Sequence, residues 1–240
     1  MRAHLLTIGD ELLIGQTTNT NAAWLGEQLS LLGVEVERTV TVGDDPERMR
    51  EELDRSARRA RLLLLTGGLG PTHDDVTREV VSDYFDAPLE TDEEILDRIR
   101  RYYERRGRQM PSAGPKLAKV PEDFDILENP VGAAVGLWHE TTVHGNERLV
   151  GVLPGVPEEM KGIFEAAVKP RLERQSGLRD ATHRTLVTSG IGESALQERL
   201  GDLSDLLDEN LHLAYLPSTS GVRLRLTASH RDRVAAEERL

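Results

Sequence analysis

The residues best suited to chemistry lie between positions 66 and 79, where the chain reads TGGLGPTHDDVTRE directly after four leucines. Three glycines in four positions let the backbone adopt conformations closed to other residues and let a ligand approach the main-chain amides. Those amides suit phosphate oxygens, whereas the adjacent carboxylates of Asp74 and Asp75 suit a hard divalent cation that bridges to a phosphate. The segment therefore suggests a metal-assisted phosphoester or nucleotide site.

The same segment also fits a purely structural role. A tight turn from a strand into a helix needs one glycine, and a helix N-cap needs one aspartate, so the surplus of both favours a ligand site. We expect the following helix to begin near Asp74 or Asp75, with a carboxylate as its N-cap. The segment is neither a Walker A loop nor the Gly-x-Gly-x-x-Gly dinucleotide pattern. Alone, it leaves both roles open.

The elements that must position this loop are those of an open, mostly parallel sheet. Apolar runs at residues 3–8 and 62–65 predict buried central strands, and the alternation at 34–40 predicts a strand exposed on one face near an edge. Amphipathic helices are predicted between these strands, one at 22–32 and one capped by Asp45. The predicted unit is strand, helix, strand.

Polar residues follow the first strand, at the place where open parallel sheets bind ligands. Glu11, Asn19 and Asn21 are the candidates there. The alternative is that they are solvated loop residues, with Thr20 or Asn21 capping the next helix.

Two later segments repeat the combination of a strand with glycine, proline and polar residues. Residues 129–138 read NPVGAAVGLW, in which small residues allow close backbone approach, and residues 154–160 read PGVPEEM after a predicted strand at 148–153. Lys116 lies in a proline- and glycine-containing loop at 110–119, and loops of this kind often carry function. It could reach a phosphate, although a lone lysine is more often solvated.

A highly charged helix is predicted between these segments. Thr91 and Glu94 form a capping box that opens it, and it runs to about Arg106. Its arginines, from Arg98 to Arg108, are expected to form a solvated face rather than a binding patch.

The pattern changes from about residue 175 to that of a small α+β module. Strands are predicted at 184–188, 211–215 and 222–227, and helical segments at 193–200, at 203–207 and from 231 onward.

Composition limits the class of function. The net charge of −12 over 240 residues disfavours a nonspecific binder of nucleic acid or anionic membrane, which needs clustered lysine and arginine. The absence of cysteine excludes disulfides and thiolate metal sites. No apolar run approaches membrane length and the first residues do not form a signal peptide, so we expect a cytoplasmic protein.

Four ordered motifs resemble the N-terminal domain of the CinA (competence/damage-inducible) family, part of the molybdopterin-binding superfamily. They are GDELLIG at residues 9–15 with NTN at 19–21, TGGLGPTHDDVT at 66–77, NPVGAAVG at 129–136 and LPGVPE at 153–158. The resemblance spans about residues 1–169. The chain departs from the family pattern at Asp10, where threonine is common, and at His73, where lysine or arginine is more frequent.

The resemblance implies a three-layer α/β fold with a mostly parallel sheet, followed by a small KH-like α+β module; the expected domains are residues 1–172 and 178–240. It also implies a pocket lined by the glycine loop and the Pro-Gly-x-Pro loop. With Asp74 and Asp75 as metal ligands, the expected catalytic residues are Asp74, Asp75, Glu11 and Lys116. The expected nucleotide- and phosphate-binding residues are Thr66, Gly67, Gly68, Gly70, Asn19, Asn21, Asn129, Gly132, Pro154, Gly155 and Glu158.

Three hypotheses for function follow. Close relatives are similar to pyrophosphatases that cleave ADP-ribose or a related dinucleotide with magnesium, cobalt or manganese, and potassium is left open as a further cation. More distant relatives bind or adenylylate molybdopterin. The third hypothesis is a non-catalytic interaction module. A small nucleotide is the expected substrate under the first hypothesis.

Two expectations concern partners. RNA binding is not expected, because the turn at residues 190–193 carries Glu193 where a KH loop would hold a phosphate. A homodimer is expected, with the strand at 222–227 offering an edge to a symmetric copy. Longer family members continue into a deamidase domain, of which this sequence shows nothing before Leu240.

Overall fold

A computed structural model describes residues 1–175, 180–208, 210–218 and 221–230. Backbone contacts divide the chain into two compact units. The first comprises Met1–Glu27 and Glu35–Arg174, and the second comprises Gln28–Val34 and Gln175–Leu240.

The first unit contains a six-stranded sheet and a two-stranded ribbon. Its strands are Arg2–Ile8 (β1), Glu35–Val42 (β2), Leu62–Thr66 (β3), Leu89–Thr91 (β4), Lys119–Pro121 (β5), Asp125–Leu127 (β6), Gly136–Val143 (β7) and Asn146–Leu153 (β8). The sheet order is β2-β1-β3-β8-β7-β6, and β4 pairs with β5. The pairs from β2 through β8 are parallel, whereas β7 runs antiparallel to β8 and β6 antiparallel to β7.

The helices between residues 10 and 173 flank this sheet or lie in its connections. They are Asp10–Leu13 (α1), Thr20–Leu31 (α2), Pro46–Ala57 (α3), Thr77–Phe85 (α4), Glu93–Glu104 (α5), Pro157–Ile163 (α6) and Lys169–Glu173 (α7). A 3-10 turn covers Gly114–Ala118, and a π-helical segment, Phe164–Val168, joins α6 to α7.

The sheet is buried on both faces, which explains the unbroken apolar runs of its central strands. Leu63 and Leu65 of β3 pack with the buried residues of α3, α4 and α5 in one core cluster. Leu62 and Leu64 are equally buried and point to the opposite face, because side chains alternate along a strand. On that side the ring of Trp24 in α2 meets that of Phe164 edge to face. The expected three-layer, mostly parallel fold is thereby confirmed.

The edge strand and one helix cap also agree with the sequence pattern. β2 lies at the end of the sheet order, and its first residues alternate in exposure. Asp45 caps α3, its Oδ1 accepting from the N–H groups of Glu47 at 3.0 Å and Arg48 at 3.1 Å.

Three predicted helix starts are wrong. Helix α4 begins at Thr77, two residues beyond Asp75, and Val76 at its N-cap makes no side-chain capping bond. Helix α5 is capped by Asp92, which accepts from Ile95 N–H at 2.9 Å, so the predicted capping box is absent and Thr91 belongs to β4. Helix α2 is capped by Asn19, not by Thr20 or Asn21.

Between residues 180 and 230, the described part of the second unit contains a three-stranded antiparallel sheet and one helix. Its elements are Asp180–Val187 (β9), Glu193–Leu200 (α8), Leu211–Ser218 (β10) and Gly221–His230 (β11). The order is β10-β11-β9, so β11 is the central strand. The expectation that residues 222–227 offer a free edge is therefore wrong, because β11 pairs along both sides.

Two helical predictions in this unit have different outcomes. Residues 204–206 form a turn, so the segment 203–207 does not continue α8. The helix predicted from 231 onward lies outside the described residues. Within the described part of the chain, no helix is both long and apolar enough to cross a membrane.

Candidate active site

A pocket of about 630 Å³ opens where β1, β3 and β8 end, and it is called the loop pocket below. The three strands run parallel, so the segments that follow them meet at one edge of the sheet. The pocket is lined by Ile8, Gly9, Glu11, Asp44, Gly67, Gly68, Leu69, Gly70, Pro71, Asp74, Asp75, Tyr102, Tyr103, Leu117, Ala133, Ala134, Pro154, Gly155, Val156 and Glu159.

The glycine loop after β3 forms one wall of the pocket. Gly67 and Gly68 have φ angles of 115° and 66°, in the region that disfavours side chains. A Cβ at Gly67 would also strike the carbonyl of Ile8, and one at Gly68 would strike the hydroxyl of Thr77. Both glycines are thus required by the packing of the loop itself, whatever ligand it binds.

Two consecutive amides of this loop remain available. Gly67 N–H donates to Leu153 O at 3.1 Å, whereas the N–H groups of Gly68 and Leu69 have no acceptor within the described part of the chain. Both residues line the loop pocket. Successive free amides next to a left-handed residue form a concave anion site.

Asp75 holds the loop in shape rather than capping the helix. Its Oδ1 accepts from Gly70 N–H at 2.8 Å, and its Oδ2 accepts from Thr72 N–H at 2.8 Å and from the Thr72 hydroxyl at 2.6 Å. Both carboxylate oxygens are therefore engaged by the loop. This use of Asp75 explains why α4 starts later than predicted.

Two cations support the loop from outside the pocket. Lys116 Nζ donates to Thr72 O and Asp75 O, each at 2.8 Å, and lies 3.7 Å from Glu79 Oε1. The fully buried Arg78 donates to Leu69 O at 2.9 Å, and burial lowers the pKa of its guanidinium. Lys116, predicted to be catalytic, thus contacts the back of the loop and does not line the pocket.

Carboxylates gather on another side of the pocket. Asp44 exchanges hydrogen bonds with Asp10, through Asp10 N–H at 3.1 Å and its own N–H at 3.3 Å. Burial, followed by the charges of Asp10, Glu11 and Asp74, raises the pKa of Asp44, and its hydrogen bond from Asp10 acts in the opposite direction. This crowding of negative charge is the situation that a bound cation relieves.

The donor set fits a hard divalent cation. Glu11, Asp44 and Asp74 offer only oxygen ligands, and magnesium typically takes one or two carboxylates together with substrate phosphates. Among the described residues, no three acidic or histidine side chains form a complete ligand group by themselves. Asp74 is exposed, with His73 Nε2 at 2.7 Å from its Oδ1, and is therefore accessible to a ligand.

The predicted polar residues of the first strand end belong to a smaller adjoining pocket of about 100 Å³. Asn19 donates to the hydroxyls of Thr7 at 2.8 Å and Thr41 at 3.2 Å. Asn21 donates to Thr66 Oγ1 at 3.0 Å and Gly155 O at 2.8 Å. These residues tie the strand ends together, and Asn19, Asn21 and Thr66 do not line the loop pocket.

The last two predicted segments are joined by a hydrogen bond. Asn129 Nδ2 donates to Glu159 Oε2 at 2.6 Å and to Ala134 O at 2.7 Å. Gly132 and Asn129 line a neighbouring groove beside α5. Glu159, which had not been singled out, lines the loop pocket, whereas the predicted Glu158 is exposed and does not line it.

Sequence reasoning missed four titratable pocket residues, namely Asp44, Tyr102, Tyr103 and Glu159. For three of them helical spacing was a usable signal. Tyr102 and Tyr103 follow the buried Ile99 by three and four positions, and Glu159 precedes the buried Ile163 by four, so each shares a face with a core residue. Asp44 follows β2 directly, and only the strand order reveals that β2 neighbours β1.

Comparisons with known proteins agree with the motifs. Residues 4–174 match the protein family described as "Probable molybdopterin binding domain", and residues 183–240 match "Damage-inducible protein CinA KH domain". The CinA-like protein of Salinibacter ruber is 65% identical over 235 residues, which cover 98% of this chain and 56% of that protein. The CinA-like protein of Chloroherpeton thalassium is 39% identical over 228 residues, covering 95% of this chain and 54% of that protein.

A solved structure is similar as well. The crystal structure of CinA from Thermoplasma acidophilum is 37% identical and has a TM-score of 0.62, and the match covers 70% of this chain and 96% of that one. The chain spans about half the length of the two curated relatives.

Proposed function

Because the chain belongs to the CinA family, with a molybdopterin-binding-type domain followed by a CinA KH domain, we propose that the loop pocket hydrolyses a nucleotide phosphoanhydride. The proposed enzyme is a metal-dependent pyrophosphatase acting on ADP-ribose or a related dinucleotide.

One observation carries the proposal: Gly68 and Leu69, whose N–H groups have no acceptor among the described residues, line the same pocket as the carboxylates of Glu11, Asp44 and Asp74. The amides suit the oxygens of one phosphate. Among Glu11, Asp44 and Asp74, one or two carboxylates together with the substrate phosphates would hold a divalent cation, which neutralises phosphate charge when bound. A pyrophosphate-like group is the chemical unit that needs both kinds of partner side by side.

The rest of the pocket suits a nucleoside. Tyr102 and Tyr103 present aromatic surface, with their ring centroids 5.6 Å apart, and Leu117 and Ala133 add apolar surface. A volume of about 630 Å³ lies in the range of nucleotide-sized ligand sites. A base and ribose would therefore lie against α5 while the phosphates lie against the glycine loop.

The test is hydrolysis of a panel of ADP-containing dinucleotides with magnesium, cobalt or manganese. We expect AMP and ribose 5-phosphate from ADP-ribose, and complete loss of product with a chelator. Intact dinucleotide after incubation with every metal would overturn the proposal. Potassium chloride should be compared with sodium chloride, because a requirement for potassium is open.

The second candidate is molybdopterin binding without hydrolysis. It is supported by the description of the family that matches residues 4–174. This reading predicts tight pterin binding and no release of AMP. A protein that does neither would be a non-catalytic interaction module.

A further inference from the structure

Two adjacent glutamates begin α6, and only one of them faces the loop pocket. Glu159 is half-buried and lines the pocket, whereas Glu158 is exposed to solvent. The difference follows from helix geometry, because Glu159 lies one turn before the buried Ile163 on the same face. The pocket therefore holds a carboxyl group in addition to the three proposed cation ligands.

The position of Glu159 is fixed by the segment that precedes β7. Asn129 donates to Glu159 Oε2 at 2.6 Å and is itself fixed, because its Oδ1 accepts from Val131 N–H at 2.9 Å and Gly132 N–H at 2.8 Å. Gly132 packs so closely that a Cβ there would overlap the Glu159 carboxylate. Glu159 Oε1 accepts no hydrogen bond from the residues that the structure describes.

Among the described residues that line the pocket, no basic side chain compensates this carboxyl group. The titratable groups that share the pocket are Glu11, Asp44, Asp74, Asp75, Tyr102 and Tyr103, none of which is basic. Burial raises the pKa of Glu159, and the hydrogen bond from Asn129 acts in the opposite direction. A carboxyl group whose pKa moves toward neutrality is a more effective proton acceptor than an ordinary glutamate.

We propose that Glu159 is the general base of the loop pocket, with Oε1 accepting a proton from the water that attacks the phosphoanhydride. The inference rests on the proposed hydrolysis. The water oxygen bonds to one phosphorus, its proton passes to Glu159, and the bridging P–O bond breaks with its electron pair leaving on the departing phosphate. Glu159 then returns the proton to solvent.

Other pocket carboxylates are less suited to this role. Both oxygens of Asp75 accept hydrogen bonds from the glycine loop. Glu11, Asp44 and Asp74 lie near one another on the side proposed to bind the cation. A carboxylate that coordinates a cation stays ionised and is not available to accept a proton. Glu159 belongs to a different segment of chain and its pKa is not affected by their charges.

The first test compares Glu159→Gln with Glu158→Gln. Glutamine keeps an oxygen that accepts the Asn129 hydrogen bond but cannot accept the proton. We expect Glu159→Gln to lower kcat about 100-fold, within the usual range for a lost general base, with KM changed less than threefold. The acidic limb of the kcat–pH profile should disappear, whereas Glu158→Gln should match the unaltered protein. Equal kcat and an unchanged acidic limb in Glu159→Gln would overturn the inference.

The second test does not need turnover. An anion bound next to Glu159 raises its pKa further, so binding of ADP should take up protons. Calorimetry in two buffers with different ionisation enthalpies measures this uptake. We expect it to be lost in Glu159→Gln and kept in Glu158→Gln, and uptake that is the same in all three proteins would overturn the inference.

The two tests separate this inference from the proposed function. If the unaltered protein hydrolyses no dinucleotide, the pyrophosphatase proposal fails and the role of Glu159 as base fails with it. Proton uptake that depends on Glu159 would then still support its placement beside the bound anion. If the unaltered protein is active and Glu159→Gln is equally active, only the inference fails. Thermal unfolding of each variant verifies that the fold is kept.

Discussion

Two neighbouring aspartates in the glycine loop have different surroundings, although the sequence treats them alike. Asp75 accepts three hydrogen bonds from the loop, whereas Asp74 is exposed and faces the pocket beside His73. Removing each should therefore have a different consequence. Asp75 supports the shape of the amide site, and Asp74 is the better candidate for a cation ligand.

The prediction for these residues uses the isosteric change to asparagine. Asp74→Asn should leave the melting temperature within about 1 °C, because a change at an exposed side chain costs little stability. It should abolish metal-dependent hydrolysis, because it removes a carboxylate ligand of the proposed cation. Asp75→Asn should lower the free energy of unfolding by about 1–2 kcal/mol and the melting temperature by about 3–6 °C. The reason is that the side-chain NH2 of asparagine cannot accept the hydrogen bond from a backbone N–H. Scanning calorimetry and AMP release measure the two effects. Equal melting temperatures for the two variants would contradict this division of roles.

Lys116 supports the glycine loop through two carbonyl groups. Lys116→Met should release the segment between Thr72 and Asp75 and weaken nucleotide binding about tenfold, without abolishing turnover at saturating substrate. Lys119→Met is the control, because Lys119 is an exposed lysine three residues away. Complete loss of kcat in Lys116→Met would instead favour the catalytic role expected from the sequence.

The sequence was informative about strands and less so about where helices begin. Four consecutive leucines fixed β3 as a buried strand, and alternation identified β2 as an edge strand. The predicted helix starts were wrong because a short polar side chain can accept hydrogen bonds from backbone N–H groups of the preceding loop as well as from those of the following helix. Asp75 looked like an N-cap, but its carboxylate bonds backward to Gly70 and Thr72.

The same limit applied to the candidate site. Motifs located the glycine loop and the Pro-Gly turn, because their unusual composition is local. Asp44 reaches the pocket from the end of β2, and no local pattern reveals that β2 lies beside β1. Glu158 was chosen instead of Glu159 because the motif ends there, while the orientation of the helix selects its neighbour.

A buried histidine on β1 makes the stability of the sheet depend on pH. His4 lies inside the fold with Nδ1 3.0 Å from Ser56 Oγ, and burial lowers its pKa below 6.5, with Glu37 acting in the opposite direction. A histidine whose pKa is lower in the folded state destabilises the fold when it is protonated. The free energy of unfolding should therefore be highest above pH 6.5 and fall as the pH decreases below that value.

The measurement is urea unfolding between pH 7.5 and pH 5, repeated for His4→Gln. Glutamine removes the titrating ring, so this variant should lose the slope across that range even though it is less stable throughout. The slope of one fully buried group is limited to about 1.4 kcal/mol per pH unit. An identical slope in both proteins would assign the pH dependence to other groups.

At the scale of the whole molecule, the expected homodimer needs an interface other than the one predicted from the sequence. β11 is paired along both sides, so among the described residues the available edges of the second unit's sheet are β9 and β10. β10 contains Pro217, and proline is typical of an edge that does not accept another strand. β9 ends in Leu186 and Val187, which are 50% and 76% exposed. A symmetric copy would bury these two residues by pairing along β9.

This interface predicts a mass of twice 26.7 kDa by light scattering at micromolar concentration. Val187→Lys should return the mass to that of one chain, because a lysine on an edge strand opposes pairing with a copy of itself. Leu206→Lys is the matched control, since Leu206 is 65% exposed but lies in the turns after α8 rather than on a strand edge. If Val187→Lys remained a dimer and Leu206→Lys did not, the interface would not be β9. A single-chain mass for the unaltered protein would show that the pocket works within one chain, and dinucleotide hydrolysis should then be independent of protein concentration.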